Sequence, residues 1–262
     1  DNGRVVVSND LYLGTDNRYH MDLEDFEQKI VEHHVKLFLL CNPHNPSGRV
    51  FTREELTGMG EICLKHGVTV VCDEIHTDFV FQGEHAVFAS IKKEYADISV
   101  TCTSPSKTFN LAGLVGSYHI VYDSYLRDRL LSKSSKAVYN ETNVLSVHAL
   151  IGAYRAEGYQ WVDELCQVLS ENVRFACETI RSQFDGIEVS RPQGTYMLFL
   201  DCEKWCQKHG KTMDELLKAG WDVGVGWQDG RPFHGTWGIR MNLALPFSRV
   251  EEAFRRLKEY VF

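Results

Sequence analysis

Three short stretches of this 262-residue sequence place proton-moving and ligand-gripping side chains where strand-like runs stop. Cys41-Asn42-Pro43-His44-Asn45-Pro46 follows the run 35–40, Asp73-Glu74-Ile75-His76 follows 68–72, and Ser104-Pro105-Ser106-Lys107 follows 98–103. Ligands of open α/β sheets bind beyond the carboxyl ends of parallel strands, so if these runs are neighbouring strands the three stretches converge. A lysine amine, a carboxylate, an amide and hydroxyls are together what pyridoxal-phosphate chemistry requires. Lys107 can condense with the cofactor aldehyde, give way to a substrate amine and then move a Cα proton. Asp73 can keep a pyridine nitrogen protonated, because an opposite charge at hydrogen-bond distance favours the charged form. Asn45 can donate to a phenolic oxygen, and Ser104, assisted by Ser106, can hold a phosphate. Each residue also has an ordinary structural use. Taken singly, Lys107 is a surface lysine, Asp73 a helix cap, Asn45 a turn residue before proline, and Ser104 and Ser106 caps or turn residues.

The elements needed to position these groups are legible as alternating helical and strand patterns, the signature of a mostly parallel α/β sheet covered by helices. Asp22 caps a helix running to about His33, and 35–40 reads as a buried strand. Thr52 with Glu55 forms a capping box, apolar positions then recur at helical spacing, and Gly67 supplies the stop. Strands follow at 68–72, 98–103 and 117–122, and 143–184 has room for one or two long helices. Beyond about residue 185 the pattern shifts to strands at 187–189, 195–201 and 236–243 among helices at 212–219 and 248–260. The expected organisation is a partial large domain over 1–165 and a smaller α+β domain over 166–262.

Composition narrows the partners. A net charge of -8 disfavours nucleic acid and anionic membranes, since both need clustered Lys and Arg. No apolar run reaches the ~20 residues of a membrane span, and no signal-like core opens the sequence, so a cytoplasmic protein is expected. None of the eight cysteines forms a CxxC pair and none of the eleven histidines an HExxH spacing, so no metal site is expected. A small-molecule partner remains.

The motifs resemble a known family. Asn42-Pro43-His44-Asn45-Pro46-Ser47-Gly48-Arg49-Val50 resembles the NPxNPTGxV loop of class I/II aminotransferases, Cys72-Asp73-Glu74-Ile75-His76 their DE motif, and Ser104-Pro105-Ser106-Lys107-Thr108-Phe109 their SxSKxF lysine motif. Gln193-Gly194-Thr195-Tyr196 and Gly238-Ile239-Arg240-Met241-Asn242 resemble the family's GTY strand and carboxylate-binding arginine. The resemblance implies a fold type I homodimer with pyridoxal 5'-phosphate on Lys107 and a substrate amino acid held through its α-carboxylate by Arg240. Arg49, Arg191 and Arg231 are the other arginines that could do so. DEIH, together with a lysine motif lacking an early arginine, resembles the cystathionine β-lyase (MalY/PatB-like) branch. In that branch Lys107 would remove the Cα proton of an amino acid with sulfur on Cβ, releasing thiol, pyruvate and ammonia, and His76 would lie near the cofactor ring. An aminotransferase would use the same residues, and a noncatalytic partner-binding protein is the alternative outside enzymes. Family members have an N-terminal stretch before the position of Asp1, so the expectation is a fragment of a longer enzyme.

Overall fold

The structure, a computed structural model, describes residues 3–137 and 141–262. Its contacts divide the chain into two units. The first takes His20–Pro43 and Val50–Val162 together with the N-terminal residues to Tyr12; the second takes Leu13–Tyr19, His44–Arg49 and Asp163–Phe262.

The first unit is built on a sheet ordered β1 (Leu37–Cys41), β2 (Thr69–Asp73), β3 (Ser99–Thr103), β4 (Tyr118–Ile120). β1, β2 and β3 are parallel and β4 is antiparallel to β3. Helix α1 (Leu23–Glu32) begins where the Asp22 carboxylate accepts the Glu24 and Asp25 amides. Helix α2 (Arg53–His66) begins with the expected Thr52–Glu55 box and ends at Gly67 in the left-handed region, φ 63°. A cap of this kind stabilises by about 1 kcal/mol. Phe26 and Ile30 of α1 and Leu56, Met59 and Cys63 of α2 lie over Leu40, Val70 and Cys72 of the sheet, with Phe88 and Tyr95 from α3 (Phe88–Ile91) and α4 (Lys93–Asp97) completing the core. Leu56 is fully buried, so truncating it to alanine costs about 2–5 kcal/mol.

The run 35–40 corrects one expectation. It forms a strand, but Leu37 and Leu39 are exposed while Leu40 is buried, because α1 and α2 cover only one face of the sheet at this edge. Continuous hydrophobicity therefore does not mean burial on both faces here. Beyond the sheet come α5 (Pro105–Thr108), α6 (Ser124–Ala137) and α7 (Val144–Ala153), and then the 28-residue α8 (Ala156–Gln183), most of which belongs to the second unit.

The second unit carries an antiparallel sheet ordered β5 (Glu188–Val189), β6 (Met197–Asp201), β8 (Gly238–Asn242), β7 (Gln228–Asp229). Helices α9 (Glu203–His209), α10 (Met213–Asp222) and α11 (Phe247–Tyr260) accompany it. Leu169, Val173, Ala176 and Ile180 of α8 are buried at helical spacing, as are Val250, Phe254 and Leu257 of α11. Buried Asn172 donates from its amide to the Leu243 and Leu245 carbonyls, tying α8 to the chain leaving β8. Among the described residues no helix is long and apolar enough to cross a membrane.

Candidate active site

In the first unit, Cys41, Asp73 and Cys102 stand level across β1, β2 and β3. The Asn42 amide donates to the Asp73 carbonyl at 3.0 Å and the Glu74 amide to the Cys102 carbonyl at 3.0 Å, extending the ladder past the strand ends. Strand alternation then turns adjacent carboxylates in opposite directions, leaving Asp73 exposed and Glu74 buried. Asp73 Oδ1 accepts the Ile75 amide at 3.2 Å, and its other oxygen has no hydrogen-bond partner among the described residues.

One strand over, the Ser104 hydroxyl accepts the Ser106 amide at 3.0 Å and donates to the Gly116 carbonyl, so it caps the turn of α5. That turn exposes Lys107 and buries Thr108, whose hydroxyl donates to Asp78 at 2.5 Å. Ser106 is half-buried. The structure thus brings Asp73, Ser104, Ser106 and Lys107 to the carboxyl ends of the neighbouring parallel strands β2 and β3. His76 does not stand on the exposed rim with Asp73 and Lys107; it is buried near Phe79, with ring centroids 6.3 Å apart.

Asn45 falls in the second unit. The segment His44–Arg49 closes on itself, with the His44 amide on the Arg49 carbonyl and the Gly48 amide on the His44 carbonyl, both at 2.8 Å. It is fastened to 190–194: the Gln193 and Gly194 amides donate to the Gly48 carbonyl at 2.8 and 3.0 Å, and Arg49 Nη1 donates to Gln193 Oε1 at 2.6 Å. Gly48 has φ 68°, and a Cβ there would lie 2.1 Å from Pro192 Cβ, so only glycine fits. Desolvation holds the His44 imidazole down to about 4 while its Nδ1 lies 2.8 Å from the Ser47 hydroxyl.

Arg240 on β8 reaches this segment, donating from Nη1 to Asn45 Oδ1 at 3.0 Å. That contact leaves the Asn45 NH2 end as the available donor. The Nε–Nη2 edge of Arg240 is occupied by Gln228 Oε1, 2.8 Å from Nε, and the guanidinium lies over the Phe233 ring, 4.9 Å from its centroid. These partners are all neutral. Arg231, by contrast, is paired with both Asp229 and Asp214, and Arg49 is buried against the Tyr19 carbonyl and Gln193. Among the described residues Arg240 therefore has no acidic partner to offset its positive charge. Burial raises the Tyr196 phenol and Arg240 partly opposes that rise. Gln228 and Phe233 left no trace in the motifs, because they reach Arg240 through the β7–β8 pairing and the turn beside it.

Six of the eight thiols are poor nucleophiles. Desolvation pushes Cys63 up to about 12 and also raises Cys72, Cys102, Cys177, Cys202 and Cys206, which disfavours thiolate. Among the described residues no group of three His, Cys, Asp or Glu could hold a metal ion.

A mostly parallel sheet whose parallel strands lead to a carboxylate and a lysine, and a unit whose antiparallel sheet carries Arg240, make an α/β protein of the aminotransferase fold. The chain belongs to the aminotransferase class I and II family, whose model matches residues 3–257. It is 37% identical over 261 residues to the cystathionine beta-lyase PatB of Bacillus subtilis (strain 168), covering 98% of this chain and 66% of PatB. Among solved structures it resembles a PLP-bound candidate aminotransferase from Clostridium difficile 630, with TM-score 0.93, 36% identity and coverage of 100% of this chain and 67% of that one. It also resembles cystalysin from Treponema denticola, which contains pyridoxal 5'-phosphate, with TM-score 0.89, 30% identity and coverage of 98% and 65%. The chain spans just under two thirds of the length of PatB.

Proposed function

We propose that this chain carries the cofactor- and substrate-handling residues of a pyridoxal-phosphate-dependent C–S β-lyase acting on cystathionine or related cysteine S-conjugates. The observation that carries the reading is the pair at the sheet edge: exposed Asp73 with one uncommitted oxygen at the end of β2, and exposed Lys107 on α5, the turn that follows the adjacent parallel strand β3. A carboxylate and an amine left solvent-facing at this edge fit a cationic ring and an aldehyde. The likeness to PatB favours the lyase reading over transamination.

Pyridoxal phosphate, when bound, supplies an electron-poor ring that accepts the electron pair released at the substrate Cα. Asp73 holds a proton at the ring nitrogen. Asn45 donates its NH2 to the ring oxygen, its other end being fixed by Arg240. Ser104 caps the α5 turn, which leaves the Ser106 hydroxyl for phosphate, while Lys107 binds the cofactor and carries the Cα proton. His76, buried beside Phe79, is the innermost of the proposed cofactor contacts. Arg240 grips the α-carboxylate through the Nε–Nη2 edge, where two charged oxygens replace the single neutral oxygen of Gln228. The Cβ–S bond would then break, the sulfur leaving as a thiol once it takes up a proton, and one water would hydrolyse the remaining three-carbon unit to pyruvate and ammonia. A homodimer belongs to the same proposal, supported by the exposed apolar side chains Val144, Leu145, Val147 and Ile151 of α7.

The deciding experiment is titration of the 262-residue chain with pyridoxal phosphate, borohydride reduction and peptide mapping, followed by a pyruvate assay with cystathionine. Cofactor trapped on Lys107 with stoichiometric pyruvate supports the lyase. Cofactor on Lys107 with amino-group transfer and no pyruvate makes the chain an aminotransferase, and no trapped cofactor makes it a noncatalytic chain.

A further inference from the structure

Behind the exposed Asp73 lies a closed circuit of buried contacts. The Asn42 amide donates to the Asp73 carbonyl at 3.0 Å. The Asn42 side chain lies 3.5 Å, through Nδ2, from His85 Nδ1. His85 Nε2 lies 3.1 Å from Glu74 Oε2, with the two side chains only 7% and 5% exposed. Glu74 is peptide-bonded to Asp73, which closes the circuit. Two backbone donors brace it from outside, the Phe51 amide on Asn42 Oδ1 at 3.0 Å and the Phe88 amide on Glu74 Oε1 at 3.1 Å.

The donors leave His85 one arrangement. Phe51 must donate, so the Asn42 oxygen faces Phe51 and the Asn42 NH2 faces His85; an NH2 only donates, so His85 Nδ1 must accept. The Glu74 carboxylate only accepts, so Nε2 must carry the hydrogen. Every polar atom of a buried circuit is then matched, which is the condition for it to be rigid. The residue being braced is Asp73, whose own side chain has a single amide contact to hold it.

We infer that His85 is a positioning residue: as its Nε2–H tautomer it locks the Asn42–Asp73–Glu74 backbone and so fixes where the Asp73 carboxylate points. The inference rests on the reading that Asp73 meets the cofactor ring. His85 touches neither Asp73's carboxylate nor Lys107 directly, and acts through the strand end. Glutamine can donate and accept at similar reach, whereas leucine can do neither.

The tautomer is measured first, by long-range 1H–15N correlation of the 15N-histidine-labelled chain, with the His85 signal identified by its loss in His85→Gln. Pyridoxal-phosphate affinity, kcat and KM are then measured for wild type, His85→Gln and His85→Leu, each also in an Asp73→Asn background, alongside thermal melts. The expected results are a Nε2–H tautomer, cofactor affinity and kcat reduced about tenfold or more in His85→Leu, and both within about threefold of wild type in His85→Gln. KM should move less than kcat, and in the Asp73→Asn background His85→Leu should cost nothing further. A Nδ1–H tautomer, wild-type cofactor affinity in a folded His85→Leu, or an undiminished loss in the Asp73→Asn background overturns the inference. If wild type takes up no pyridoxal phosphate, the functional reading fails and His85's role toward the cofactor fails with it, while the tautomer still decides whether the circuit exists.

Discussion

The two units prepare their functional groups in opposite ways. In the first, backbone geometry does the placing: strand ends and a serine cap present Asp73 and Lys107 to solvent with few side-chain partners. In the second, side chains hold side chains, with Arg240 gripped by Asn45, Gln228 and Phe233, and the Asn45 segment pinned to 190–194 by Gly48 and Arg49. Groups of the first kind are free to change bonding partners, which the proposed cofactor role of Lys107 requires. Groups of the second kind are held in place in advance, which suits the rigid carboxylate that the proposed function assigns to Arg240.

The largest expected effect tests the first kind. Lys107→Ala should abolish cofactor trapping and turnover while leaving the unfolding free energy within about 0.5 kcal/mol of wild type, because an exposed lysine contributes little to packing. Retained turnover in this variant, with pyruvate measured directly, would remove Lys107 from the mechanism. Gly48→Ala should do the reverse. A Cβ placed 2.1 Å from Pro192 at a positive φ forces the segment off 190–194, so a loss of about 3 kcal/mol or more in urea unfolding is expected. Unchanged stability there would show that the pinning is dispensable.

Gln228→Glu sharpens the contrast further. It adds one oxygen's worth of charge to the Nε–Nη2 edge of Arg240, leaves the fold alone, and turns a replaceable neutral partner into a competing carboxylate. KM for the amino acid should rise about tenfold with kcat little changed, the pattern of lost uniform binding. The same substitution logic at Arg231, which is already paired with Asp229 and Asp214, predicts no kinetic change for Arg231→Gln. An equal rise in KM for both variants would erase the distinction between the two arginines.

How much of this could be read from the sequence follows the same division. Caps, strand runs and motif residues are local: the Asp22 cap, the Thr52–Glu55 box, the Gly67 stop and the strand end at Thr103 appear where the sequence places them, while the strand expected to stop at 72 runs one residue further, to Asp73. Helix α6 was not legible, because none of its side chains is buried and so no apolar stripe marks it. Nor was the circuit through His85 or the hold of Gln228 on Arg240. Both depend on pairings between residues far apart in sequence, and nothing in the composition of 81–88 or 228–233 records them. Asn45 shows the intermediate case: its motif was legible, but its grouping with Arg240 in the second unit was not.

The smallest expected effect concerns pH and belongs to the second unit alone. Burial depresses His44 from the ordinary 6.5 to about 4, so between those values the unfolded chain binds a proton that the folded chain does not. Stability then rises with pH across that window, and its loss grows as pH falls from 6.5 and levels off below about 4. The gap corresponds to at most about 3 kcal/mol. Partly exposed carboxylates such as Glu252, held down to about 2 by Arg255 and Arg256, lose their own contribution at lower pH, so a bare acid titration cannot isolate the histidine. His44→Gln keeps a polar partner for the Ser47 hydroxyl and removes the titrating ring. Urea midpoints of wild type and His44→Gln at pH 7, 5.5 and 4 should therefore diverge, with wild type losing more on acidification. Parallel curves would mean that the imidazole stays hydrated and that the pinned segment opens before it unfolds, which would bring the second unit's segment closer in character to the solvent-facing edge of the first.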